Sequence, residues 1–254
     1  MPLPARRTSN PILNDRTFSS LPRFGIGVEG MTLKGTIDKS FLLLIVLMAS
    51  ALWPWSQYMA SGNAQAVDLT MTLGFIGGFI LAMIISFKAT LAPYLAIPYA
   101  ALEGLAVGGF SAILEQHYHG IAIQAVALTF GVLAALLIAY RAHLIRVTQR
   151  FRAMVVAATL GVLLFYVATM VLGLFHVSTQ ALFAPTGLGI GISLVIVAIA
   201  AANVVLAFDQ IERGVAGGAP KFMEWYCAFG MMVTLVWLYI EIISLLAQSQ
   251  SRRQ

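Results

Sequence analysis

The chain has 254 residues, of which 60% are hydrophobic and only 10% charged, whereas an ordinary soluble domain carries about 25% charged residues. So few charges cannot cover that much apolar surface in water, which excludes a soluble globular fold and leaves lipid as the solvent of that surface. The formal net charge of +5 does not indicate nucleic acid as a partner, because the basic residues lie in the N-terminal tail and in alternate connectors and form no clustered basic face.

Residues 1–39 hold no apolar run of signal-peptide length and read as a polar tail, so insertion through the first membrane helix is expected. A helix crossing the hydrocarbon core needs about 20 apolar residues, because each adds about 1.5 Å of rise. Seven stretches meet that requirement: Phe41–Tyr58, Leu69–Phe87, Leu95–Leu114, Ile121–Tyr140, Met154–Phe175, Leu188–Phe208 and Trp225–Leu246. They predict an all-α integral membrane protein, a compact bundle of about seven transmembrane helices over residues 40–247, with a short tail at 248–254. The connectors are too short for a second domain. Cys227 is the only cysteine, which excludes an intramolecular disulfide and any CxxC metal or redox motif.

The connectors also orient the bundle. Arg6, Arg7, Arg16, Arg23, Lys34 and Lys39 precede the first span, Lys88 follows the second, Arg141, Arg146, Arg150 and Arg152 follow the fourth, and Arg213 and Lys221 follow the sixth. The intervening connectors carry no Lys or Arg, and only Arg252 and Arg253 break the alternation. By the positive-inside rule the N-terminus is cytoplasmic, and an odd number of spans puts the C-terminus outside.

Trp53, Trp55, Tyr58, Tyr140, Trp225 and Tyr226 sit near span ends, where aromatic side chains meet lipid headgroups. Gly104-x-x-x-Gly108 and Gly187-x-x-x-Gly191 would let helix backbones approach closely, with Ala198 and Ala202 continuing the small face of the sixth helix. Pro93 and Pro98 should bend the third helix or delay its start.

Several motifs match the form of a site without its context. Gly25-Ile-Gly27-Val-Glu-Gly30 fits the dinucleotide pattern literally, but a strand must precede that motif and a sheet-packed helix must follow it. Here it lies in a polar tail and reads as a linker. Glu115, His117 and His119 could offer a metal a carboxylate and two imidazoles, although an exposed polar connector often has the same composition. No H-E-x-x-H is present, Gly109-Phe-Ser111-Ala is followed by Ile113 instead of the glycine of a serine elbow, and no pair of aspartates lies within the spans. An enzymatic activity is therefore not expected, and no cofactor is implied.

Acids in or beside the apolar helices remain: Glu103, Asp209, Glu224 and Glu241. An ionised carboxylate at membrane depth costs several kcal/mol, so it faces the bundle interior, finds a partner or holds a proton. Glu224, beside Trp225 at the cytoplasmic mouth, reads as a structural acid, either protonated or hydrogen-bonded or reaching the headgroups from the helix end. Glu103 lies ~22 Å along the outward-running third helix, and Glu241 is at a similar height on the seventh. Asp209 ends the sixth helix, near the cytoplasmic mouth.

The chain resembles the Bax inhibitor-1/YccA family, also called the transmembrane BAX inhibitor motif family. The likeness is carried by Ala92 to Leu95, Glu103-Gly-Leu, Gln124 to Phe130, Phe208-Asp209-Gln-Ile-Glu-Arg-Gly214, Ala219 to Tyr226 and Leu238-Tyr-Ile-Glu241-Ile. In the tail, Ser9-Asn-Pro-Ile-Leu13 looks like a motif of one bacterial branch. The resemblance implies a seven-helix fold with the last helix at its centre, an inner-membrane location, and a role in cation leak, calcium in particular. It also implies a proton-sensitive latch of two aspartates on the sixth and seventh helices, matched here by Asp209 and Glu241. This chain departs from the pattern in carrying a glutamate at 241 and about two extra helical turns between the acids, which would set them ~20 Å apart. Glu103 is then the alternative partner.

The expected function is a pH-sensitive leak channel or transporter for cations, calcium in particular, with Asp209, Glu241 and Glu103 as ion-binding and gating residues and weak calcium ligation at Asp209 and Glu241. The alternative is a non-conducting membrane protein that binds and modulates a partner, such as a membrane protease, through its tail. Expected partners are the lipid bilayer, calcium or other cations and such a membrane protein, with no nucleic acid.

Overall fold

The computed structural model describes residues 30–63, 65–175 and 184–252. Seven helices account for nearly all of them: α1 Leu33–Ser61, α2 Gln65–Phe87, α3 Ala92–His117, α4 Ile121–Arg141, α5 Gln149–Leu174, α6 Gly187–Ala216 and α7 Met223–Ser251. All seven are long and apolar enough to cross a membrane. No strand occurs among the described residues, whose one piece of β pairing is an isolated antiparallel bridge between Gly30 and Pro220.

Most of the helices outrun the apolar stretches that announced them. The 30 residues of α6 measure about 45 Å, against a hydrocarbon core of about 30 Å, so polar turns continue past the lipid. α1 starts at Leu33 because Thr32 caps it, its Oγ1 accepting from the Gly35 N–H at 3.0 Å. The polar tail therefore gives way to helix before residue 39. α6 likewise continues to Ala216, so Asp209 lies about two turns inside the helix instead of ending it. Pro93 and Pro98 do not delay α3, which starts at Ala92, ahead of both, directly after a 3₁₀ turn at Ala89–Leu91, and carries Pro98 inside it. Pro93 falls in the first turn of α3, where a missing N–H costs nothing.

The helices fall into two compact units. Among the described residues, the first contains those through Phe110 together with Ala207–Val233, and the second contains those from Ser111 to Leu206 and from Thr234 onward. In the first unit, glycines seat α3 against its neighbours. A Cβ at Gly104 would collide with the Leu47 backbone and the Ser50 hydroxyl, and one at Gly108 would lie 2.7 Å from the Ala51 Cα, so α1 and α3 touch at backbone distance. From α2, a Cβ at Gly74 would meet Leu102 O at 2.5 Å and Ala106 N at 2.7 Å.

In the second unit the helices are joined by polar side chains. Asn203 Nδ2 of α6 donates to Thr159 Oγ1 of α5 at 2.8 Å, and Gln248 Nε2 of α7 donates to Ser193 Oγ of α6 at 2.8 Å. Between helices in lipid, such bonds join surfaces that apolar contact alone does not drive together.

Two packing expectations are corrected. At Gly187 and Gly191 nothing among the described residues lies within 4 Å of an added Cβ, and Ala198 is exposed. α6 instead buries Ser193, Ile196, Ala200 and Val204, a stripe with the three-to-four spacing of one helix face. Tyr58 and Tyr226 are not headgroup aromatics, since both are almost wholly buried, whereas Trp53 is exposed as a headgroup residue should be.

Gly104→Val should destabilise the protein by about 1–3 kcal/mol through overpacking of α3 on α1, while Gly131→Ala, which meets open space, should be neutral or stabilising by up to ~1 kcal/mol. Unfolding titrations in detergent of the two variants would check this, and equal stabilities would refute close packing at Gly104.

Candidate functional site

Glu241 lies in the middle of α7 and is buried, with 6% of its surface exposed. Its Oε1 accepts two hydrogen bonds, from Tyr166 Oη of α5 at 2.6 Å and from Trp237 Nε1 at 2.9 Å. Trp237 precedes it by four residues, so helical geometry stacks the two side chains on one face. Oε2 has no hydrogen-bond partner among the described residues. The carboxyl group is thus anchored through one oxygen, while the other keeps its capacity for a proton or a cation.

Glu103 is half-buried on α3, one turn after Tyr99 on the same helix face. Its carboxylate passes over α2 at Gly78, where an added Cβ would come within 3.0 Å of Oε2. The Tyr99 ring in turn packs edge-on against Phe229 of α7, with centroids 4.9 Å apart. Asp209 forms an i,i+4 ion pair with Arg213, Oδ2 to Nη2 2.7 Å, and its side chain is 15% exposed. Glu241 and Asp209 therefore each have a donor on their own helix.

Glu224 does not reach outward to headgroups. Its side chain is 0% exposed and sits at the N-termini of both α1 and α7, where helix dipoles favour an anion. Oε1 accepts from the Thr32 N–H at 2.8 Å and from Thr32 Oγ1 at 2.7 Å, and lies 3.2 Å from Lys221 Nζ. Oε2 pairs with Lys39, whose ammonium also lies 5.4 Å from the centre of the Trp225 ring. Gly35 makes the approach possible, because a Cβ there would lie 2.5 Å from the Glu224 Cδ. Met31 N–H completes the clasp by donating to Ala219 O at 2.7 Å. The one sequence signal for this site was an acid at a helix start, with its cationic partners spread over residues 39 to 221.

The remaining motifs resolve locally. Glu115 accepts from the N–H groups of Gly120, at 2.5 Å, and Ala122, at 3.0 Å, and so caps the start of α4, while His117 Nδ1 lies 2.9 Å from Ile113 O. Among the described residues no group of three or more His, Cys, Asp or Glu side chains is arranged to hold a metal ion. The glycine motif at 25–30 lies, apart from Gly30, outside the described residues.

Glu224→Ala should cost about 3 kcal/mol or more in a reversible denaturant titration, since it strips Lys39 and the Thr32 N–H of a buried acceptor. Lys221→Ala should cost less than ~1 kcal/mol, because its side chain is 44% exposed. Equal costs would reduce the clasp to an ordinary surface ion pair.

Comparison with known proteins agrees with the resemblance read from the motifs. No curated protein and no solved structure gives a significant match. A family described as Bax inhibitor 1 like matches residues 6–251, nearly the whole chain. With seven helices able to span a membrane and this match along its length, the chain is a multi-pass membrane protein that belongs to the Bax inhibitor 1 like family.

Proposed function

We propose that the chain is a pH-sensitive leak pathway for cations, calcium foremost, without enzymatic activity, residing in the inner (plasma) membrane with its N-terminus in the cytoplasm. The observation that carries this reading is Glu241, a carboxyl group buried in a membrane-crossing helix with one oxygen held by Tyr166 and Trp237 and the other unbonded among the described residues. A saturated structural acid would have used both oxygens, as Glu224 does. Protons and cations compete for the same free oxygen, so passage depends on pH. Asp209 and Glu103 serve as further stations for the ion. The scatter of single carboxylates suits passage better than tight retention, because strong calcium sites gather several oxygens around one ion. Family membership supports the same reading through the cation-leak role that the resemblance implies.

Calcium flux into dye-loaded liposomes across a pH series tests the proposal. The wild type should exceed empty liposomes and vary with pH, and Asp209→Asn combined with Glu241→Gln should remove the variation. Absence of flux at every pH from folded protein would reject a conduction role and favour a non-conducting partner-binding protein. An unchanged pH profile in the double variant would reject these acids as the sensor.

Orientation has its own check. Alkaline phosphatase fused in the connector at 62–64 should be active, and fused in the connector at 142–148 it should be inactive. The opposite pattern would invert the topology.

A further inference from the structure

The connector between α4 and α5 concentrates positive charge that neither the packing nor the proposed pathway uses. Arg141 closes α4, Arg146 lies in the connector and Arg150 stands in the first turn of α5, three exposed cations within ten residues. None of the three guanidinium groups enters an ion pair or a side-chain hydrogen bond among the described residues. The other charged clusters differ in this respect: Lys39 and Lys221 meet Glu224, and Arg213 meets Asp209.

The backbone of the connector adds a second feature. His143 has φ 56°, the one positive φ at a residue other than glycine among the described residues. The left-handed residue turns the chain off the end of α4, and the Leu144 N–H donates back to Ala139 O at 3.0 Å. In many helix ends of this kind the following apolar side chain folds back onto the helix. Here Leu144 remains 79% exposed. An outward leucine is thus bracketed by three unpaired arginines at the junction of two membrane-crossing helices.

We infer that this connector is a docking surface for the headgroup of an anionic phospholipid. The ends of membrane-crossing helices lie at the level of the lipid phosphates. A guanidinium group offers a planar fork that matches phosphate oxygens, and basic residues at that level attract an anionic leaflet. Leu144 enters the adjoining acyl region, where its exposure to water ends. An acidic protein surface would satisfy the charges equally well, but it would leave unexplained an exposed leucine at the membrane boundary. The inference depends on the membrane-spanning fold and is independent of ion passage.

Native mass spectrometry of the full-length protein, purified in detergent and offered equal amounts of phosphatidylglycerol and phosphatidylcholine, tests it. Phosphatidylglycerol should be retained in preference. The variant R141Q/R146Q/R150Q should lose that preference by about tenfold or more, whereas R141K/R146K/R150K should keep most of it. Helical content and melting temperature of both variants are measured alongside, so that the lysine variant separates charge from folding. Absence of a preference in the wild type, an unchanged preference in the glutamine variant, or an equal loss in the lysine variant would overturn the inference. Displacement by inorganic phosphate at the lipid's own concentration would assign a free-anion site and overturn it too. So would a preference that arises only when cell extract is added, which would assign an acidic protein partner.

Discussion

A carboxylate placed in or beside hydrocarbon has no water to solvate it, and the chain must supply the donors or leave the group protonated. Much of this structure can be understood as a set of answers to that constraint. Glu224 receives the most complete one: a backbone N–H, a hydroxyl and two ammonium groups surround a side chain with no exposed surface. Those donors come from the start of α1 and the start of α7, so satisfying one acid also ties together two helix termini that are distant in sequence. Asp209 receives a partner one turn away on its own helix. Glu241 is met halfway, through one oxygen. This gradient runs from an acid with both oxygens held to one with an oxygen unbonded among the described residues.

Helix packing and site construction draw on the same residues. In lipid, helices gain little from burying apolar side chains, and close backbone approach becomes the main source of contact. Gly104 and Gly108 admit α1, and Gly74 brings α2 onto α3. The same α2 surface continues to Gly78, and there the space left by a missing side chain is taken by the Glu103 carboxylate. Gly35 repeats the device at the clasp, where Glu224 occupies the volume a side chain would have filled. Glycine therefore serves twice in the first unit, once to seat helices and once to admit acids.

The seven helices were legible in the sequence because 20 apolar residues in a row have few other solutions. Helix ends were not, since capping by Thr32 and the polar last turns of α6 lie outside the apolar signal. Near-neighbour partners such as Trp237 for Glu241 and Arg213 for Asp209 follow from helical spacing alone. Tyr166 does not, because 75 residues separate it from Glu241 and nothing in its own surroundings marks its partner. Small-residue motifs were half informative. Gly104-x-x-x-Gly108 found a neighbour and Gly187-x-x-x-Gly191 met open space, since the motif permits approach and does not supply the surface that approaches. Tyr58 and Tyr226 misled for a related reason: position near a span end indicates height in the membrane but not which way a helix face points.

The glutamate at 241, where the resembled family often has aspartate, gains a physical reason from its partners. Its carboxyl group reaches Tyr166 Oη on α5 at 2.6 Å while also accepting from Trp237 on α7. An aspartate there would withdraw the oxygens by about 1.5 Å, the length of one carbon–carbon bond. The Tyr166 contact would then open beyond hydrogen-bond distance unless α5 moved inward. The extra methylene therefore sets which helix the acid answers to, and it ties the state of the carboxyl group on α7 to the position of α5. A proton or cation taken up at Oε2 changes the charge on a group that already bridges two helices. Such an event can shift the balance between helix arrangements only through a difference in how strongly each arrangement binds it. Glu241 is placed where that difference can arise, because one oxygen is anchored to α5 and the other is unbonded among the described residues.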